Sequence, residues 1–150
     1  MATACVLNGR LYVMGGHGCN KLQVLEMSEE NEFTWTVKAE FPAWRELAAS
    51  AFFEGRLWLM GGALYDGPTA SVSTYDPASD SWAAGPALPR ASEYFGNSRA
   101  AVHNGQLYLF QLGSTESPTF LYTNTGWVDA EEMRTGRIHL KGACESILLG

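Results

Sequence analysis

The sequence predicts an all-β protein made of repeated four-stranded antiparallel sheets, and three observations lead to that fold class. One motif, a turn with glycine followed by a short apolar strand, occurs three times in the 150 residues. Tryptophans recur in register with those turns, and short strand-like runs separated by turn residues fill each repeat. The landmarks are Gly9, Gly55 and Gly105, followed by Trp35, Trp82 and Trp127. A shared period of about 45 to 50 residues with four strands in each unit is typical of the blades of a β-propeller.

The composition fits a packed globular protein and argues against nucleic-acid and membrane partners. Hydrophobic residues make up 46% of the chain, and the formal net charge is −6. An acidic chain lacks the basic footprint that a nucleic-acid backbone requires, and no apolar run approaches the roughly 18 residues that span a bilayer. The cysteines lack zinc-type spacing and are interpreted as reduced thiols. Together with the lack of a signal-peptide pattern, they predict a cytoplasmic or nuclear location.

The first unit shows the four-strand pattern in order. Asn8-Gly9 is a strong hairpin signal, because a type I′ turn needs positive φ at both central residues. The strand after it stops at Gly15-Gly16. In the last strand, Phe33, Trp35 and Val37 alternate with polar residues, which predicts one buried face. The predicted strands are residues 3–7, 11–14, 22–27 and 33–37.

The second and third units repeat this order. The second has a glycine pair, Gly61-Gly62, a loop over 63–70, and a turn containing Pro77. Its predicted strands are 47–53, 57–60, 71–75 and 81–84, and those of the third unit are 99–103, 107–112, 120–123 and 126–128. The predicted blades are therefore 3–43, 47–90 and 99–136, with 138–150 as the start of an incomplete one.

At this point the residues closely resemble the kelch repeat family. A kelch blade has a Gly-Gly pair ending its second strand, a tyrosine on the third strand and a tryptophan on the fourth. The second unit has Gly61-Gly62, Tyr75 and Trp82; the first has Gly15-Gly16, Met27 in place of the tyrosine, and Trp35; the third has Leu112-Gly113, Tyr122 and Trp127. The signature of WD-repeat propellers does not occur in the sequence.

A structural role explains all of these landmark residues. Glycine lets the chain turn where blades crowd together, and the aromatic side chains supply apolar bodies between blades with a polar tip. The resemblance implies a ring of about six or seven blades, of which this sequence carries three. Three blades in an arc leave two apolar faces uncovered. We therefore expect either missing blades in a longer protein or self-association that completes a ring.

The sequence contains no pattern typical of a catalytic or cofactor site. Phosphate loops, nucleophile elbows and zinc motifs do not occur, so no cofactor, metal or catalytic residue is predicted. His17 and Cys19 on a glycine loop provide two donors for a soft metal, but two ligands are too few without others. The prediction is that the protein is not an enzyme.

The linkers after each unit contain the candidate binding residues. Arg45, Arg90 and Arg134 each follow the last strand of a unit, and the resemblance implies that these linkers lie at one mouth of the channel, where kelch domains bind partners. Guanidinium groups pair well with carboxylates, so the three arginines predict a site for an acidic ligand. The alternative is pairing with Glu46 or Glu93, or capping of the blade. The loops 17–21, 63–70 and 113–118 add His17 and Tyr65 as candidate contacts.

Two functions remain open from the sequence. The first is a kelch-type protein-interaction module that binds a partner, expected to be an acidic peptide or protein, through its inter-blade loops. The second is a fragment of a kelch-propeller enzyme such as a sialic-acid-type epimerase. Fold alone does not decide between them.

Overall fold

The computed structural model describes residues 2–28, 32–92, 98–111 and 118–130, and every regular element in these ranges is a β-strand. Three four-stranded antiparallel sheets follow one another along the chain. The all-β fold class is thereby confirmed. Arg134 and the segment 138–150 lie outside the described residues, as do Leu112-Gly113 and Glu93. Within the described ranges no helix is long and apolar enough to cross a membrane.

Each sheet is one blade, and its strands follow one another in space as they do in sequence. Blade 1 consists of β1 (Ala2–Leu7), β2 (Arg10–Gly15), β3 (Leu22–Met27) and β4 (Phe33–Lys38). Blade 2 consists of β5 (Ala49–Phe53), β6 (Arg56–Met60), β9 (Val72–Asp76) and β10 (Ser81–Gly85). Blade 3 consists of β11 (Ser98–His103), β12 (Gln106–Gln111), β13 (Thr119–Thr123) and β14 (Gly126–Ala130).

Blade 2 also carries a small hairpin that the sequence did not predict. Within the predicted loop 63–70, β7 (Ala63–Leu64) pairs with β8 (Gly67–Pro68). The hairpin is too short to show a periodic pattern, and a backbone hydrogen bond from Thr69 N–H to the Gly62 carbonyl (2.9 Å) closes its base. It holds the loop in one shape.

The type I′ turn predicted at Asn8-Gly9 has the required positive φ values, and the first hairpins of the other two blades share them. Asn8 and Gly9 have φ values of 47° and 72°, and Asn104 and Gly105 have 50° and 71°. Glu54 also adopts a positive φ of 49°, which is uncommon for a residue that is neither glycine nor Asn or Asp. Each blade therefore starts from the same hairpin geometry.

Strand register identifies equivalent positions in the three blades. Trp82 is opposite Tyr75, which is opposite Leu57, and Trp127 is likewise opposite Tyr122. In blade 1, Trp35 is opposite Leu25, which is opposite Leu11. The residue in the tyrosine position is therefore Leu25, and the assignment of that position to Met27 was wrong.

Two apolar cores lie between the blades, not within single sheets. The first core joins blades 1 and 2 and includes Tyr12, Met14, Leu57, Leu59 and Tyr75. The second joins blades 2 and 3 and contains Trp58, Met60, Leu107, Leu109 and Phe120. Burial of these side chains is the main force that holds the arc together.

Two of the three repeated tryptophans join neighbouring blades as predicted. The indole N–H of Trp82 donates to the Ala39 carbonyl (2.8 Å), and that of Trp127 donates to the Pro86 carbonyl (2.9 Å). In both cases the acceptor is the first residue after the last strand of the preceding blade. Trp35 differs, because its side chain is 51% exposed together with Phe33 and Val37. The predicted buried face on β4 is wrong for this chain, since the described residues contain no blade before blade 1.

The glycine pairs permit close approach of the chain between blades. Gly15 and Gly62 have φ values of 72° and 88°. A Cβ atom on Gly15 would lie 2.7 Å from the Arg45 carbonyl oxygen, and one on Gly62 would lie 2.6 Å from that of Glu46. In blade 3, register places the buried Gln111 at the position of Gly15, so the third pair does not begin at Leu112. The predicted structural role of the glycines therefore fits the first two blades.

Candidate functional site

The linker between blades 1 and 2, residues 39–48, lies at the end of the arc where β2 and β6 finish. Gly16 N–H donates to the Arg45 carbonyl (3.3 Å) on one side. On the other side Glu46 and Ala63 exchange two backbone hydrogen bonds of 3.1 and 2.9 Å. The linker is thus hydrogen-bonded to both neighbouring blades, and its side chains have a rigid base.

His17, Trp44 and Glu46 lie together at this linker, and Tyr65 stands on the hairpin whose Ala63 pairs with Glu46. We call these four residues the linker face. The rings of His17 and Trp44 meet edge to face with centroids 5.7 Å apart. Nδ1 of His17 lies 3.8 Å from Oε2 of Glu46, and the His17 side chain is 86% exposed. Tyr65 is 92% exposed at the tip of the β7–β8 hairpin.

His17 and Tyr65 were predicted as contact residues from their loops, and the structure places both at this end of the arc. Trp44 was not among the predicted contact residues. Its signal was a large aromatic residue in a linker between two blades. Whether these residues bind a partner stays a prediction.

Arg45 is not a surface residue, which is a correction to its predicted role. Its side chain is buried, with 4% relative exposure. Its guanidinium donates to the carbonyls of Gly61 (3.4 Å) and Ser71 (3.0 Å) and to the Ser73 hydroxyl (3.3 Å). Burial lowers the pKa of Arg45, although a guanidinium keeps its charge in proteins. The residue fastens the linker to blade 2 and is not available to an acidic ligand.

Arg90 is exposed but does not correspond to Arg45. The backbone of Phe41 donates to Asn20 and that of Leu88 donates to Ala70, each acceptor lying two residues before the third strand of its blade. Phe41 and Leu88 are therefore equivalent. Arg45 follows the first by four residues, whereas Arg90 follows the second by two. The buried Ser92 holds the position of Arg45 in the second linker.

The predicted ring of three arginines is therefore not present among the described residues. Arg90 Nη1 lies 3.8 Å from Oδ1 of Asp129, and its guanidinium carbon lies 5.5 Å from the centre of the Phe120 ring. Such an exposed pair contributes little stability, so Arg90 remains able to exchange partners. Arg134 lies outside the described residues.

The opposite end of the arc contains a cleft between blades 2 and 3 that sequence reasoning missed. Its volume is about 380 Å³, and it is lined by Phe53, Glu54, Gly105, Gln106, Tyr122, Thr123 and Asn124. The lining comes from turns of two blades, so no local sequence pattern could reveal it. Because the cleft lies beside the hairpin tips, it is a separate surface from the linker face.

Asp80 fastens blade 2 to the start of the linker that follows blade 1. Oδ1 of Asp80 accepts hydrogen bonds from the Ala39 backbone (2.9 Å) and from the Tyr75 hydroxyl (2.8 Å). The hydrogen bond from Ala39, followed by that from Tyr75, lowers the pKa of Asp80. Burial and the Asp80 carboxylate raise the pKa of Tyr75. Both groups therefore have structural partners.

Chemical groups typical of metal sites do not converge in the described ranges. No cluster there brings together three or more His, Cys, Asp or Glu side chains that could hold a metal ion. Cys19 follows His17 by two residues on the glycine loop. In blade 1, burial raises the pKa of the Cys5 thiol to about 12.

Comparison with known proteins finds several relatives that are all named Kelch-like proteins. Human Kelch-like protein 35 is 37% identical over 112 residues, which cover 73% of this chain and 18% of the relative. Human Kelch-like protein 33 is 32% identical over 110 residues, which cover 71% of this chain and 20% of the relative. Kelch-like protein 35 of Mus musculus is 26% identical over 133 residues, which cover 82% of this chain and 21% of the relative. The chain thus spans about a fifth of the length of these relatives.

The solved structures agree on the fold. The structure of YjhT superposes with a TM-score of 0.72 at 20% identity, covering 89% of this chain and 50% of that one. No family model matches the sequence. At that identity the structural likeness establishes a β-propeller architecture and nothing about activity.

Proposed function

This chain belongs to the kelch repeat family, and from that premise we propose that it is a protein-interaction module whose partner binds the linker face. One observation carries the proposal: the most exposed large hydrophobic side chain of the described residues, Tyr65, stands on a hairpin that is hydrogen-bonded to the inter-blade linker. A rigid scaffold that displays loop residues is a common design for recognition.

The chemistry of the linker face suits a protein surface. Tyrosine and tryptophan are enriched among the residues that dominate binding energy, because they bury a large area with few rotatable bonds. Trp44 and Tyr65 supply two such groups, while His17 and Glu46 supply polar contacts beside them. Backbone hydrogen bonds on both sides of the linker reduce the ordering cost on binding.

The proposed acidic contact is smaller than the predicted ring of three arginines. Because Arg45 is buried, only Arg90 among the described candidate arginines can reach a carboxylate from outside. An acidic group of the partner would replace Asp129 at Arg90. We therefore propose aromatic anchoring at the linker face, with an acidic contact at Arg90 as a secondary feature.

Site-specific photo-crosslinking in cells tests this proposal. A photoreactive phenylalanine analogue is placed at Tyr65 in one variant and at Thr125, an exposed turn residue at the opposite end, in the other. The proposal predicts a discrete protein adduct from position 65 and none from position 125. Adducts from position 125 alone would place the partner at the cleft. A small-molecule ligand in the channel with no protein adduct would favour the enzyme alternative.

A further inference from the structure

The cleft between blades 2 and 3 has the size and lining of a small-molecule site. Its volume of about 380 Å³ lies at the lower end of the range of roughly 300–1,000 Å³ that such sites occupy. The lining combines two aromatic rings, those of Phe53 and Tyr122, with hydroxyl, amide and carboxylate groups from turns of both blades. Glu54 is the charged residue of the described lining. A concave site of this size suits a small ligand better than a protein surface.

Tyr122 forms a fixed aromatic wall of this cleft. Its ring centroid lies 6.1 Å from that of Phe53 in an edge-to-face contact and 4.8 Å from that of Trp58. The ring of Trp127 lies against the same tyrosine with a centroid distance of 5.3 Å. Because three aromatic neighbours hold Tyr122 in place before a ligand arrives, the ordering cost of binding is low.

The equivalent junction between blades 1 and 2 is closed by an internal hydrogen-bond network. The Tyr75 hydroxyl, at the position of Tyr122, donates to Oδ1 of Asp80 at 2.8 Å. The same oxygen accepts from the backbone N–H of Ala39 at 2.9 Å. Tyrosine, carboxylate and linker thus satisfy one another, so this tyrosine hydroxyl is not available to a ligand.

The junction between blades 2 and 3 lacks both partners of that network. Thr125 occupies the position of Asp80, directly before the fourth strand of its blade. Pro86 occupies the position of Ala39, whose carbonyl accepts from the repeated tryptophan, and proline has no N–H to donate. Within the described residues the Tyr122 hydroxyl has no hydrogen-bond partner, so it can donate to or accept from a ligand.

Glu54 adds a carboxylate from blade 2 to this cleft. It occupies the first position of its hairpin turn with a φ of 49°, where the other two blades have Asn8 and Asn104. Asparagine tolerates positive φ better than glutamate does, so the turn itself gives no reason for an acidic residue. In the described ranges the Glu54 side chain has no ion pair or hydrogen bond. A residue that breaks a local rule without a structural compensation indicates a functional site.

We propose that this cleft binds a small organic cation that carries a guanidinium group. Glu54 supplies the counter-charge, because a guanidinium and a carboxylate form paired hydrogen bonds. A planar cation also stacks favourably on aromatic rings, here those of Phe53 and Tyr122. The amide oxygens of Gln106 and Asn124 can accept further N–H groups, and no cation of the described lining competes for Glu54. This site is independent of the partner that the linker face binds.

Titration followed by amide NMR tests the ligand class. The probe is Nα-acetylarginine amide, which carries a guanidinium and no other charge. Nα-acetylcitrulline amide is its uncharged analogue, and Nα-acetyllysine amide carries an ammonium instead. We expect saturable shifts of the Gly105 and Asn124 amide signals, with a dissociation constant of about 1 mM for the arginine compound.

The two analogues separate charge from shape. The citrulline compound loses the charge-assisted pair and should bind at least about tenfold more weakly. The lysine compound lacks the planar fork and should bind more weakly by about threefold or more. Equal affinity for either analogue, or no saturation by the arginine compound up to about 20 mM, would overturn the proposal.

Two variants and a charge-matched control tie binding to the cleft. Glu54→Asn installs the residue of the other two turns, so it should weaken binding of the arginine probe at least about tenfold while raising the urea midpoint. Tyr122→Phe keeps the ring and should weaken binding about threefold with an unchanged midpoint. Asp66→Asn removes the same charge from the exposed β7–β8 hairpin and should change binding less than about twofold in about 0.15 M salt. Unchanged affinity in Glu54→Asn, or an equal loss in Asp66→Asn, would contradict the assignment of the site.

Discussion

Replacement of Gly62 by alanine should separate the linker from blade 2. The new Cβ would lie 2.6 Å from the Glu46 carbonyl oxygen and 2.9 Å from the backbone of Ala48. The φ of +88° adds a penalty of about 1–2 kcal/mol for a residue with a side chain. To relieve the clash the linker must move, which removes the two Glu46–Ala63 hydrogen bonds at about 0.5–1.5 kcal/mol each. The expected loss of unfolding free energy is about 3 kcal/mol.

A matched control isolates the contribution of the close contact. Gly55 has a similar φ of +73°, and no atom lies within 4 Å of its Cβ position. Gly55→Ala should therefore lose only about 1 kcal/mol, the backbone penalty. Urea unfolding of the three proteins at one concentration measures the difference. Equal losses for the two variants would refute the idea that the linker is fixed by its approach to Gly62.

Three further changes test other contacts. Trp82→Ala should cost about 3 kcal/mol because it removes an inter-blade ring and its hydrogen bond. Trp35→Ala should cost under about 1 kcal/mol because this side chain is half exposed, so equal melting of the two variants would contradict the account. Asp80→Asn should cost about 1 kcal/mol at neutral pH. Since the pKa of Asp80 is lowered on folding, the wild-type advantage should exist above the unfolded pKa and disappear as pH falls through the folded value. Cys5, with its pKa raised to about 12, should resist alkylation near pH 8 until the protein unfolds, as peptide mass spectrometry can show.

The strands could be predicted because each carries its own local signal. Period-2 alternation and positive-φ turns depend only on neighbouring residues, and the observed strand ends lie close to the predicted ones. The tyrosine position in blade 1 was different. Loops of unequal length precede the third strand, so spacing along the chain does not fix the tyrosine position, and the prediction of Met27 was wrong. Backbone pairing selects Leu25.

The candidate site was predicted less well because it depends on contacts between blades. A linker arginine looks the same in sequence whether it faces solvent or a row of carbonyls. Arg45 is buried because Gly61, Ser71 and Ser73 of the next blade supply acceptors. The sequence also could not show that Arg45 and Arg90 occupy different positions in their linkers. Only the backbone hydrogen bonds of Phe41 and Leu88 align the two linkers. Burial of Trp35 likewise depends on a neighbouring blade.

The affinity for the protein crosslinked at Tyr65 tests the central claim, that the linker face is the binding surface, most directly. Titration calorimetry would compare the wild type with Tyr65→Ala, Trp44→Ala and the opposite-end control Thr125→Ala. Removal of an aromatic anchor typically costs about 2 kcal/mol or more, so each of the first two should weaken binding at least about tenfold. The control should change it less than about twofold. Loss of affinity in Thr125→Ala with unchanged binding by Tyr65→Ala and Trp44→Ala would contradict the account.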